Sequence, residues 1–529
     1  MLARWKNSPQ SREILFGAAL VAMTFVAYAP TLRAGFIWDD DSYVTHNPAL
    51  LSASGLWQIW TDPSATPQYY PLVHTTFWIE KRLWGLNPLG FHVVNGALHT
   101  LCAVLLWRLL RWLRIPWAWV IAAVFAVHPI QVESVAWVTE RKNVLSTAFY
   151  LGAMLAYLRF DPLVAPARPD ETPRSAWGLS LLFFVCAMLS KTVAATLPAA
   201  LLLLIWWKRG KIALRDVVPL IPLFLVSIAL GWNTARLEKY QVGAIGPEWD
   251  FSIPQRIIIA GRALWFYVAK LLVPWNLTFF YPRWEIRSDQ LWQFAFPLSL
   301  FAVLAALWVM RTRIGRGPLV AVLYFVGTLV PALGFFDVYP MRYSFVADHF
   351  QYLACVGIIA LVVASCADRV NRGVVCAVLA AAAVLTWRQC LMYRDIETLW
   401  RTTIAQNPDA WLAYTNLAVE QLEKGQVDEP LRLLEKALSI RPDDPETNAD
   451  IAVPLVRLGR FEQAEDHARR AIAARPRLAA GHASLAEALV QRGRIHEAAE
   501  SAARAATLSP RTAAHRFNLA KLLAMDNQR

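Results

Sequence analysis

The sequence predicts an all-α chain: a polytopic bundle of membrane helices over residues 1–395, then a water-soluble helical solenoid over 396–529. Three observations carry this expectation. Of the 529 residues 57% are hydrophobic, against about 45–50% in soluble domains, and the excess lies in long blocks between residues 14 and 390. Tryptophan is abundant, at 24 copies, and this residue favours the membrane–water interface. From residue 408 onward, Pro, Gly and Ala recur every 34 residues.

A membrane span needs about 20 apolar residues. Eleven segments qualify: 14–32, 91–107, 117–136, 143–158, 176–190, 193–207, 214–232, 293–310, 318–336, 350–367 and 373–390. The first has a basic leader (Arg4, Lys6, Arg12) but lacks a convincing small-residue cleavage site, so it is expected to be a retained span. A twelfth stretch, 257–273, carries Arg262 and Lys270 at mid-segment. Charges at that depth are costly, so an interfacial or partly re-entrant helix is expected there.

The net charge of +13 would suggest a polyanionic partner in a soluble protein. Here the basic residues gather in turns: Arg108/Arg111/Arg114, Arg159/Arg168/Arg174, Lys208/Arg209/Lys211/Arg215, Arg311/Arg313/Arg316 and Arg369/Arg372. All five clusters fall on the cytoplasmic side if 257–273 does not cross, which is the positive-inside pattern and implies no nucleic acid. The parity of eleven spans then places the C-terminal part outside. The outward loop after the first span is acidic: 33–68 holds one Arg and four Asp. The six cysteines lie in or at the ends of apolar blocks and form no CxxC pair, so they read as small hydrophobes.

In the C-terminal part, Pro occupies 408, 442, 476 and 510, Gly 425, 459 and 493, and Ala 437, 471 and 505. Gly suits the turn between two helices, Ala their close approach, and Pro the end of the second helix. This is the period of the tetratricopeptide (TPR) repeat. Three repeats and a capping helix from about Ala513 are expected, with Pro430 tolerated near a helix start. Such stacks offer concave grooves to proteins.

The spans are mostly free of charge, and ionisable residues gather in the outward loops, which points to chemistry at the outer surface rather than transport. Asp39-Asp40-Asp41 follow the first span. His128 and Glu133 lie toward the end of the third, Glu140, Arg141 and Lys142 follow it, Lys191 lies between the fifth and sixth, and Arg342, Asp348 and His349 lie between the ninth and tenth. Carboxylates can take a proton from a hydroxyl. Cations or a metal can stabilise a leaving phosphate. His99 and His128 are expected to be buried, hydrogen-bonded histidines.

Four runs carry a family resemblance: GFIWDDD at 35–41, YPL at 70–72, GLNPLGFHVVN at 85–95 with His99, and HPIQVESVA at 128–136. With the repeats last in the chain, the sequence resembles the transmembrane and TPR-containing O-mannosyltransferases of the GT-C glycosyltransferase class. The resemblance implies a GT-C-like membrane domain and a polyprenyl-phosphate sugar donor, commonly mannose. It also implies a protein Ser/Thr acceptor recruited by the TPR array. Asp39 and Asp40 then correspond to the acidic pair of the class, Glu133 is a second candidate carboxylate, and Lys191, Arg342 and Arg141 are candidates for the donor phosphate. A divalent metal, if one is used, has Asp39, Asp40, Asp348 and His349 as candidate ligands. The run Thr139-Glu140-Arg141-Lys142-Asn143 is more charged than in animal members, and Tyr69 stands where they tend to have Arg, which leaves sugar and acceptor open. The competing readings are the same donor chemistry with a lipid or glycan acceptor, and a non-enzymatic membrane scaffold. The Ala/Arg-rich repeats have a bacterial flavour, which points to an inner membrane with periplasmic repeats. In a eukaryote the same topology puts them in the lumen of the endoplasmic reticulum.

Overall fold

The computed structural model describes residues 9–163, 174–244, 246–367, 369–510 and 512–526. Arg4, Lys6 and Arg168, named above as topology signals, lie outside the described residues. The chain forms two compact units, Met1–Ile396 and Glu397–Arg529. No β-strand occurs among the described residues.

In the first unit every expected apolar segment falls on helix. By length and composition five helices are able to cross a membrane: Pro88–Trp112, Thr192–Arg209, Leu214–Val242, Leu291–Met310 and Arg372–Tyr393. Arg174–Met188, Gly317–Ala332 and Cys355–Cys366 are shorter and apolar. The segment expected as one span over 117–136 is instead a pair, Ala118–Val127 and Pro129–Ala136, bent by 54°. The break has a local cause. Pro129 cannot donate a backbone hydrogen bond, and His128 caps the following turn by accepting from the Ile130 N–H at 3.3 Å.

Ile253–Leu272 is helical and carries the mid-segment charges. At one end Arg256 donates to Gly334 O (2.7 Å) and Asp337 Oδ1 (2.9 Å). At the other end Leu271 O accepts from His128 Nε2 at 3.0 Å. Asp337 belongs to a segment expected on the outward side, and His128 lies within the segment 117–136. Arg262 lies over the Trp284 ring, 4.5 Å from its centroid.

The outward segments are built from short helices rather than open loops. Pro71–Trp84 is amphipathic and packs Val73 and Phe77 into a core with Tyr43, Phe91 and Val138. A buried ion pair holds it: Glu80 meets Arg141, the first residue of Arg141–Phe160. Asn95 ties the bent segment down, donating to the carbonyls of Val135 and Trp137 at 3.2 Å.

The second unit begins with Ile396–Gln406. Three antiparallel pairs follow: Trp411–Glu423 with Asp428–Ile440, Pro445–Arg457 with Phe461–Ala474, and Ala479–Gln491 with Ile495–Leu508. Ala513–Asp526 packs last. Gly425, Gly459 and Gly493 adopt φ of +82°, +73° and +73° at the turns within the pairs, the left-handed conformation that glycine adopts at least cost. Ala437, Ala471 and Ala505 are fully buried. Pro430 is the third residue of its helix. Pro454, in contrast, lies inside Pro445–Arg457, where it removes one helical donor.

Candidate active site

The three consecutive acids after the first helix have three different environments. Asp41 begins a π-helical turn, Asp41–Thr45. Its carboxylate is exposed and accepts from Thr45 Oγ1 at 2.9 Å, with His46 Nδ1 3.8 Å away. Asp40 is fully buried. It accepts from Ile37 N–H (2.9 Å), Thr139 N–H (2.8 Å) and Thr139 Oγ1 (2.5 Å). Burial nevertheless pushes its carboxyl up to about 7, against the pull of those three donors. Asp40 thus staples the 37–41 turn to residue 139. Asp39 faces a cavity of about 220 Å³. Burial pushes its carboxyl up to about 6, with Lys142 opposing and Glu140 adding to the shift.

The turn that aims Asp39 is strained. Trp38 has a φ of +41°, sparsely populated for a bulky residue. Its ring is fixed by stacking on Trp137 (centroids 5.4 Å apart, 24°) and by edge contacts with Phe279 and Phe280. These four rings give the cavity one aromatic wall.

The ionic part of the lining adjoins Trp137. Glu133, Glu140, Lys142 and His349 all line the cavity. Glu140 Oε1 lies 2.8 Å from Lys142 Nζ, and its Oε2 lies 3.2 Å from Lys191 Nζ. Burial would raise the Glu140 carboxyl, but His349, Lys142 and Lys191 together hold it well below the usual carboxylate range. Glu133 accepts from the His349 backbone N–H at 2.9 Å, and its other oxygen lies 3.0 Å from His349 Nδ1. Asn143 knots the wall together, donating to Ser134 Oγ (3.1 Å), Glu140 Oε2 (2.5 Å) and His349 O (3.1 Å). Lys142 Nζ lies 5.4 Å from the Tyr43 ring centroid and 5.6 Å from that of Trp137, where ring faces favour its charge.

The structure thus brings together Asp39, Glu133 and His349, and redirects the other expected site residues. Arg141, expected at the donor phosphate, turns away from the cavity. Its guanidinium is fully buried against Glu80, Asn95 and Phe91 O. The reason is helical geometry: consecutive residues point about 100° apart, so Lys142 takes the cavity face that Arg141 leaves. Arg342 is buried, with Nε 3.1 Å from Glu248 rather than paired with Asp348, and it donates to Tyr339 Oη at 3.2 Å. Tyr339 is the part of that pair that reaches the cavity. Lys191 touches the site only through Glu140. Asp348 accepts from Tyr281 Oη at 3.0 Å, and burial beside Glu133 pushes its carboxyl well up. Asp39, Asp40, Asp348 and His349 therefore do not form a metal cage. Among the described residues no three His, Cys, Asp or Glu side chains gather to hold an ion.

Glu140 and Lys142 belong to the ionisable group read from the sequence, which assigns neither a role of its own. The charged run at 139–143 was the available signal. His99 and His128 are buried and hydrogen-bonded, His99 to Tyr352 Oη (2.7 Å) and Ala126 O (2.9 Å).

A family model of tetratricopeptide repeats matches residues 421–488. Among curated proteins, the Drosophila melanogaster protein O-mannosyl-transferase Tmtc2 is 34% identical over 190 residues, 33% of this chain and 20% of its own length. Human protein O-mannosyl-transferase TMTC1 is 32% identical over 198 residues, 34% of this chain and 22% of its own. Mouse protein O-mannosyl-transferase TMTC2 is 27% identical over 252 residues, 44% of this chain and 30% of its own. The chain thus spans about a fifth to a quarter of the length of the first relatives it matches. Among solved structures, ArnT from Cupriavidus metallidurans bound to undecaprenyl phosphate aligns over 95% of this chain and 89% of its own, at 11% identity and a TM-score of 0.39. The chain is therefore a relative of the proteins named protein O-mannosyl-transferases, and it carries tetratricopeptide repeats.

Proposed function

We propose that the chain is a multi-pass membrane glycosyltransferase. It moves a sugar, mannose by its relatives' names, from a polyprenyl-phosphate donor to a Ser or Thr hydroxyl of a protein. The observation that carries this reading is the contrast between Asp39 and Asp40. One carboxylate is consumed by three internal donors, while its neighbour lines a cavity, with no hydrogen bond to its side chain among the described residues. A carboxyl near 6 is poised to accept a proton at neutral pH.

In this mechanism the acceptor hydroxyl attacks the anomeric carbon of the donor, and Asp39 takes the hydroxyl proton. The bond from that carbon to the phosphate oxygen breaks, and the electron pair leaves on the phosphate. Lys142, the cation lining the cavity, faces the departing charge. Glu140 and Lys191 hold Lys142 within a fixed network, and Glu133 orients His349. The aromatic wall of Trp38, Trp137, Phe279 and Phe280 suits the apolar face of a sugar ring. The TPR array recruits the protein acceptor from the membrane side that carries Asp39, a reading that the span parity expected from the sequence supports.

The test uses the purified full chain in lipid vesicles with polyprenyl-phosphate mannose and a Ser/Thr-rich protein acceptor. Asp39→Asn is expected to lower the rate of transfer by about 10²–10⁴-fold, the usual contribution of a positioned base. Transfer at the native rate would overturn the assignment.

A further inference from the structure

The helices that hold the Asp39 cavity at one end enclose a second cavity at the other. Lys191 contacts Glu140 just before Thr192–Arg209, and Trp207, near the far end of that helix, lines the second cavity. Sixteen residues separate the two, about 24 Å of helix. The second cavity is larger, about 420 Å³, within the range of about 300–1,000 Å³ usual for small-molecule sites. Its walls are aliphatic, with Leu106, Leu110, Leu151, Leu204, Val356 and Leu361 among them, and Arg114 is its charged lining residue.

The mouth is basic. Lys208 Nζ donates to Leu113 O at 2.5 Å, next to Arg114, and Arg316 immediately precedes the lining residues Gly317 and Pro318. Nearby Arg111 and Arg209 are answered by carboxylates, Arg111 by Glu13 and Arg209 by Asp161 and Asp216. Arg114, Lys208 and Arg316 form no ion pair among the described residues. Tryptophans mark the same level: Trp207 lies under Lys208 (3.7 Å), and Trp206 stacks on Trp308 (centroids 5.9 Å apart, 9°). Such a belt sits at the membrane–water boundary, so the aliphatic walls lie at the depth of lipid chains.

We infer that this cleft holds an anionic phospholipid, one acyl chain between the helices and its phosphate at Arg114, Lys208 and Arg316. Charge complementarity selects the headgroup, and the aliphatic lining selects the chain. This lipid is distinct from a sugar donor, whose phosphate would have to reach Lys142 at the other end of the bundle.

Native mass spectrometry of the purified full chain in micelles containing phosphatidylglycerol or phosphatidylcholine tests this. Phosphatidylglycerol is expected to be retained preferentially. The double variant Arg114→Gln/Lys208→Gln should lower that retention about 30-fold, toward the phosphatidylcholine level. Leu361→Trp should fill the cleft and abolish retention, whereas Leu298→Trp, on an exposed helix face, should leave it intact. Equal retention of both lipids by the native chain would overturn the inference. So would full phosphatidylglycerol retention by folded Leu361→Trp. If that variant does not fold, the charge variant decides alone, and unchanged retention in it is the negative result.

Discussion

Three adjacent carboxylates with identical chemistry are given different tasks by what surrounds them. Asp40 accepts three hydrogen bonds from two segments, so Asp40→Ala leaves buried donors without partners, each at about 1–3 kcal/mol. That variant should unfold at a lower temperature and lose activity because the turn no longer aims Asp39. Asp39→Asn should lose activity without unfolding at a lower temperature. Thermal unfolding in parallel with transfer assays separates the two. The pH dependence has opposite signs for activity and stability. Activity needs ionised Asp39 and should rise through about pH 6. Asp39 and Asp40 are raised to about 6 and 7 in the fold from 3.8. Between about pH 4 and 7 these two carboxyls therefore hold more protons in the folded chain than in the unfolded one, and their contribution to stability falls as pH rises, while buried His74, lowered to about 3 from 6.5, contributes with the opposite sign. Unfolding temperature measured across pH 4.5–7.5 should show the Asp39 share as a difference: with rising pH the native chain should lose stability relative to Asp39→Asn. The sequence pattern marks the triplet as special but does not divide its roles. The division depends on Thr139, a hundred residues away, and on which side of a strained Trp38 each carboxylate falls.

Elements are held to one another by a few contacts of high cost. The Glu80–Arg141 pair clamps Pro71–Trp84 to Arg141–Phe160, and both side chains are buried. Removing one partner leaves an uncompensated charge, so Glu80→Ala or Arg141→Ala should each cost about 3–5 kcal/mol. Glu80→Ala/Arg141→Ala together should cost less than their sum, as a denaturant titration of all three variants would read. Among the helix pairs, Gly357 has the carbonyl of Ala321 at 2.5 Å from where a Cβ would sit. Gly357→Val must therefore push Gly317–Leu329 and Cys355–Cys366 apart, and a loss of about 1–3 kcal/mol is expected. In the repeats the 34-residue period was legible because each position carries its own constraint: positive φ at Gly459, no room beyond a methyl at Ala471. The bend at His128–Pro129 was signalled by its proline yet hidden by the uniform hydropathy of 117–136. Arg141 and Lys142 could not be told apart by composition, since only the phase of a helix that begins between Glu140 and Arg141 sends one to Glu80 and the other to the cavity.

For the whole chain the open quantity is which elements share a side of the membrane, and the charges fix an expectation. Every basic cluster lies on one side only if Ile253–Leu272 does not cross, and the contact at its start agrees with this. Arg256 at its start reaches Gly334 and Asp337, and Leu271 at its end meets His128. A helix of 20 residues spans about 30 Å, enough to cross a bilayer, but its first turn meets outward Asp337 and its mid-segment Arg262 and Lys270 favour a helix lying along the boundary. With that helix on the surface, the repeats and Asp41 face the same compartment. Single cysteines in a cysteine-free chain test this, at Asp41, at Ser439 on an exposed face of the repeats, and at Arg313 in an exposed basic turn. In sealed, right-side-out vesicles a membrane-impermeant thiol reagent should modify Asp41→Cys and Ser439→Cys, and should reach Arg313→Cys only after permeabilisation. Modification of Arg313→Cys in the sealed vesicles, with Ser439→Cys reached only after permeabilisation, would mean that Ile253–Leu272 crosses. The TPR array would then lie across the membrane from Asp39, where it could not present an acceptor hydroxyl to that carboxylate, and the recruiting role proposed for it would fail while the catalytic role of Asp39 remained open to its own test.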